Sequence, residues 1–143
     1  MTPPKPPTVT AMTDQPVESS RTGTRIAFRV GWWVLVVLTA LFILNHVVGV
    51  AAFANSEDER MLFVAFAALE TVSLLVLLFA YRALESWAWW ASWVQIVAMA
   101  LTFAIFLDGI GALYLVVAVV MAVAQFATLP AMRARTGALT PRG

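Results

Sequence analysis

Four apolar runs, each about as long as a bilayer is thick, dominate this sequence. They cover residues 31–54, 61–81, 87–107 and 111–129, and only short charged or glycine-containing connections separate them. A helix rises about 1.5 Å per residue, so about twenty apolar residues cross roughly 30 Å of hydrocarbon. Water does not reach a backbone there, and each segment has to satisfy its own amides and carbonyls as a helix. The predicted fold class is all-α: a membrane-spanning four-helix bundle of two antiparallel hairpins. Composition agrees, since only 12% of the residues are charged, where a soluble domain carries about a quarter.

The segments around the spans divide the chain. Residues 1–24 are rich in Pro, Thr and Ser and lack bulky apolar side chains. They cannot bury enough surface to offset their conformational entropy, which predicts a disordered cytoplasmic tail. Residues 25–130 form the transmembrane domain, and residues 131–143 a short basic tail. Ser56-Glu57-Asp58-Glu59 is a capping box directly before the second run, so the first two helices are joined by a tight turn and lie antiparallel. Ser86 is the expected N-cap of the third helix and Asp108 that of the fourth. Pro130 is expected to stop the fourth helix, because it cannot donate within a helix. At the outer mouth, Asp108 has a second reading as an attractor of cations.

Basic residues sort by side. Lys5, Arg21, Arg25, Arg29, Arg82, Arg133, Arg135 and Arg142 fall on the side of the tails, and Arg60 alone falls on the other. The positive-inside rule then places both termini in the cytoplasm. The preference for arginine over lysine points to a GC-rich bacterial genome, and the expected location is a bacterial inner membrane. Trp32, Trp33, Trp87, Trp89, Trp90 and Trp93 cluster near the same ends of the first and third spans. They are expected to form an interfacial belt, with an aromatic ligand site at Trp87–Trp93 as the sharper alternative.

Polar residues inside the spans are the functional candidates, because hydrocarbon makes them costly. Glu70 lies about 13–15 Å inward from Arg60, and His46 about 12 Å inward along the first helix. Equal depth on neighbouring antiparallel helices predicts a Glu70–His46 pair. Such a pair is either a structural interhelical hydrogen bond, worth roughly 0.6 kcal/mol, or a proton carrier. Asn45 sits beside His46 but points about 100° away. Ser92, Gln95, Met99 and Thr102 form a polar row on the third helix. Gly111, Tyr114, Ala118, Met121 or Ala122, and Gln125 form another on the fourth. Gln95 and Gln125 fall in the same half of the bilayer and are expected to bond each other.

Several chemistries are missing. With no cysteine and one histidine, thiol redox chemistry, thiolate metal sites and bis-histidine haem ligation are excluded. No phosphate-binding glycine loop, HExxH or nucleophile elbow occurs. The expectation is a chain that is not an enzyme and carries no cofactor or metal.

Tyr81-Arg82-Ala83-Leu84-Glu85-Ser86-Trp87-Ala88-Trp89-Trp90 resembles the inner end of the third helix in bacterial four-helix membrane proteins, some of them grouped as DoxX-like. The resemblance covers the four-span layout and this motif. It implies a small helical bundle and transfers no catalytic residue. The leading functional expectation is an accessory or interaction subunit. Its partners would be the lipid bilayer and either another membrane protein or further copies of itself, not nucleic acid. The alternatives are a small proton-coupled transporter using Glu70 with His46, and a quinone- or lipid-handling redox accessory subunit.

Overall fold

The computed structural model describes residues 15–107 and 109–138, and every regular element among them is helical. Helix α1 spans Gln15–Val48 and continues through a π-helical turn, Gly49–Phe53. Helix α2 spans Glu57–Val76 and ends in a second π-helical turn, Leu77–Tyr81. Helices α3 (Ser86–Ile105) and α4 (Gly109–Ala138) complete the chain. Four helical stretches are long and apolar enough to cross a membrane. The molecule is the membrane-spanning all-α bundle that the sequence predicts.

Helix α1 packs on both α2 and α4, α4 packs on α3, and the seam between α2 and α3 is the lightest. The two hairpins therefore join through α1 and α4. Gly31 makes that joint possible: a Cβ there would stand 2.6 Å from the Ala124 carbonyl oxygen and 2.9 Å from a Thr128 methyl. The core beneath it contains Leu35, Leu77, Tyr81, Met99 and Met121, all buried. Large apolar side chains such as Leu41, Val72, Leu101 and Val123 are exposed around the outside, as suits lipid rather than water.

The bundle has two distinct ends. The carboxylate end holds the α1–α2 turn and the α3–α4 connection; the arginine end holds both chain tails and the α2–α3 connection. At the carboxylate end the capping box forms as expected. Ser56 Oγ accepts the Glu59 amide at 3.2 Å, and the Glu59 carboxylate accepts the Asn55 amide at 2.6 Å. The box thus closes one residue earlier than its usual form. At the arginine end, α2 stops with Leu84 in the left-handed region, φ 60°. The Leu84 amide bonds the Tyr81 carbonyl and the Glu85 amide bonds that of Ala80. This is a Schellman arrangement with leucine where glycine is usual.

Three boundaries differ from expectation. Helix α1 begins at Gln15, so residues 15–24 are helical rather than part of a disordered tail; residues 1–14 lie outside the described residues. A nucleated helix extends at little cost per residue, and Pro16 sits in the first turn, where its missing N–H costs nothing. Glu85 rather than Ser86 holds the cap position of α3, and no side chain caps it. Pro130 lies inside α4, which runs on to Ala138. The bond lost at Pro130 is offset by packing beyond it, since Met132 is buried in the core. Asp108, expected to cap α4, lies outside the described residues.

The tryptophans split. Trp33, Trp87 and Trp90 are exposed to the bilayer, while Trp32 and Trp89 are buried. The burial has a cause in each case. A π-helical turn loosens the backbone bonding at Leu77, whose carbonyl takes the Arg82 amide at 3.3 Å and the Trp32 indole N–H at 2.8 Å. Trp89 donates its indole N–H to the Gln125 carbonyl at 3.2 Å. The Trp93 indole N–H is buried without a partner.

Candidate functional site

Three helices meet at one imidazole. His46 on α1 is 1% exposed, and both of its ring nitrogens are engaged. Nδ1 lies 2.8 Å from Glu70 Oε2 on α2, and Nε2 lies 2.8 Å from the Tyr114 hydroxyl on α4. Phe66, one helical turn before Glu70, stacks its ring on the imidazole at 5.3 Å and 19°. Phe42 closes the opposite side and meets Tyr114 edge-on.

The local sequence explains the placement. The short Asn55–Ser56 link folds α2 back against α1, and counting away from it in both directions brings His46 and Glu70 to the same depth. Gly49 lets the ends of these helices close up, since a Cβ there would stand 2.7 Å from the Phe63 ring. Tyr114 comes from the predicted polar row of α4, all five of whose leading positions are buried: Gly111, Tyr114, Ala118, Met121 and Gln125.

The Glu70–His46–Tyr114 chain keeps both hydrogen bonds in more than one protonation state. With Glu70 ionised and His46 neutral, Nδ1–H donates to the carboxylate and Nε2 accepts from the phenol. With His46 as imidazolium, both ring nitrogens donate, one to Glu70 and one to the Tyr114 oxygen. With Glu70 protonated, Nδ1 accepts and Nε2–H donates. A proton can therefore move along the chain with both hydrogen bonds kept. That is the condition under which a buried ionisable pair can function rather than merely cost energy.

A cavity of about 290 Å³ opens at the carboxylate end and reaches this chain. His46, Tyr114 and Thr102 line its inner part, Phe53, Phe63, Phe66 and Phe106 its walls, and Glu59 its mouth. The polar row of α3 is buried as predicted, and Thr102 brings it to the cavity.

The remaining candidates sit elsewhere. Asn45 is exposed on the lipid face of α1 and takes no part in the site. Gln95 and Gln125 do not bond each other. Gln95 exchanges hydrogen bonds with Thr39 of α1, at 3.2 and 3.3 Å. Gln125 donates to the Trp89 carbonyl and accepts from the Tyr81 hydroxyl, which also contacts Thr128. The two share one half of the bilayer but not one level: Gln125 stands opposite Trp89, six residues along α3 from Gln95, which is about 9 Å. The sequence reading missed Thr39, Tyr81 and Thr128 as members of this network, and Tyr114 as the partner of His46. A signal existed for Tyr114: it is the one phenol on the predicted inward row of α4.

No family model matches the chain, nor does any curated protein or solved structure. The functional reading accordingly rests on the geometry.

Proposed function

We propose that this protein is a small proton-linked carrier of the bacterial inner membrane, not an enzyme, that takes a small solute from the outer side. The observation behind this reading is the Glu70–His46–Tyr114 chain at the inner part of a cavity that opens at one end of the bundle. The basic residues supply the orientation. Arg82, Arg133 and Arg135 mark the arginine end and Arg60 alone the carboxylate end, and this bias supports termini in the cytoplasm and a cavity open to the outside. A solute entering the cavity meets His46 of α1, Glu59 of α2 and Tyr114 of α4, with Glu70 behind His46 on its Nδ1. Helix α3 contributes Thr102, and Phe106 follows at its C-cap.

The test is flux in proteoliposomes under an imposed pH gradient, with a panel of cationic, anionic and neutral amphiphiles. At least one member should move with the gradient, and Glu70→Gln should bring its flux to the level of empty vesicles. Equal flux in wild type and Glu70→Gln for every member would sink the reading.

A second reading, an accessory subunit bound to another membrane protein, draws on helix length. Helix α1 has 34 residues and α4 has 30, about 51 and 45 Å, and both overrun the hydrocarbon at the arginine end. Crosslinking from those extensions in native membranes should recover a partner; recovery of the chain alone would count against it.

A further inference from the structure

We propose that the cavity at the carboxylate end selects a small amphipathic cation, an ammonium group carrying one apolar substituent. This names the solute class for the carrier reading above and rests on it.

Size comes first. At about 290 Å³ the cavity lies at the low end for small-molecule sites, roughly 300–1,000 Å³, so the occupant is about the size of an aryl-alkyl ammonium ion.

The walls set the charge. Phe53, Phe63, Phe66, Phe106 and Tyr114 all line the cavity. An aromatic face carries the negative part of its quadrupole and attracts a cation within about 6 Å. One such face is already in use, since the His46 ring lies flat on Phe66. Among the described residues, no lysine or arginine lines the cavity.

The mouth points the same way by an independent route. Glu57, Asp58 and Glu59 fill the first turn of α2, all exposed, with only Arg60 beside them. This cluster raises the local concentration of cations and repels anions. An uncharged solute gains neither from the rings' quadrupoles nor from the carboxylates.

Charge also explains the proton linkage. A cation at the inner end of the cavity stands beside His46, and an imidazolium there would repel it. The arrangement compatible with such an occupant is the one in which neutral His46 donates Nδ1–H to an ionised Glu70. Among the described residues, Glu59, at the mouth, and Tyr114, on Nε2, are the other titratable groups that line the cavity, and α3 adds none.

The experiment is calorimetric titration of the full chain in nanodiscs, corrected against empty nanodiscs. The three probes are benzyltrimethylammonium, its uncharged carbon isostere 2,2-dimethylpropylbenzene, and phenylacetate. The cation should bind roughly tenfold or more tightly than the isostere, and phenylacetate should not bind. Phe66→Leu and Glu59→Gln should each weaken the cation; leucine fills most of the ring's volume, and glutamine preserves the capping box. Phe126→Leu, which removes a ring at the arginine end, should leave it unchanged. If the isostere or phenylacetate binds as tightly while Glu70-dependent flux persists, the cation assignment falls and the proton-linked carrier stands. If none of the three binds, the assignment is overturned. If the cation binds selectively but Glu70→Gln leaves flux intact, the assignment holds and the proton linkage fails.

Discussion

The two ends of this bundle use similar side chains for different purposes. At the arginine end, Tyr81, Trp89, Gln125 and Thr128 form a closed neutral network, with Tyr81, Gln125 and Thr128 fully buried. Gln125 ties α4 to α3 through Trp89 and to α2 through Tyr81, and its own carbonyl accepts from both Trp89 and Thr128. None of these groups except the phenol can titrate. At the carboxylate end a tyrosine is again buried on a polar partner, but the partners are an imidazole and a carboxylate, and a cavity adjoins them. Neutral, enclosed networks fix which helix faces meet. Ionisable ones beside a cavity carry the cost of buried charge, and that cost is explained by proton movement rather than by stability.

The sharpest way to break this comparison is to remove Gln125. Gln125→Leu should destabilise the bundle by about 3 kcal/mol, because the Trp89 carbonyl and the Tyr81 hydroxyl lose buried partners together. The measurement is unfolding in mixed detergent micelles. The folded fraction should keep wild-type proton-linked flux. A variant that folds normally but loses flux would place the working site at the wrong end.

Next in size is Gly31→Val. The new Cβ would sit 2.6 Å from backbone at Ala124, which α4 can relieve only by moving away. A loss of about 1–3 kcal/mol is expected from such overpacking, read in the same assay. No loss would mean that the α1–α4 joint is looser than its geometry.

Tyr114→Phe is predicted to cost less, about 1 kcal/mol, because one buried nitrogen rather than two groups loses its partner. Its effect on the His46 ring should be plain. With Nε2 left without a partner, the ¹⁵N resonances of His46 should shift relative to wild type, whereas Tyr81→Phe should leave them in place. Unchanged His46 resonances in Tyr114→Phe would dissolve the three-residue chain.

How much of this was legible in the sequence depends on which coordinate a residue's role needs. The spans were legible because lipid forces each apolar run to bond to itself. The His46–Glu70 pair was legible because both residues are counted from one short turn, which fixes their depth, and because adjacent antiparallel helices leave little freedom in rotation. Gln95 and Gln125 were assigned only to the same half of the bilayer, which is too coarse to pair two side chains: Gln125 stands level with Trp89, about 9 Å along α3 from Gln95, and Gln95 went to Thr39. Trp32 and Trp89 were misplaced for another reason. Hydropathy puts an indole near an interface without saying whether it faces lipid or protein. The choice was made by carbonyls at Leu77 and Gln125 that only the folded backbone reveals. Pro130 failed as a stop because a local rule about one missing donor was outweighed by the packing of Met132.

The smallest predicted effect tests what the charges at the arginine end contribute. Arg135 reaches Glu85 at 3.5 Å, with side chains 42% and 47% exposed. Exposed pairs of this kind gain little, because water screens them and two long side chains must be held in place. Arg135→Ala should therefore change stability by less than about 0.5 kcal/mol, against the much larger loss expected for Gln125→Leu one helical face away. The comparison isolates the buried neutral network as what holds that end together. Were Arg135→Ala to cost as much as Gln125→Leu, the arginine end would be held by charge after all. The contrast between a structural neutral end and a working ionisable end would then have to be abandoned.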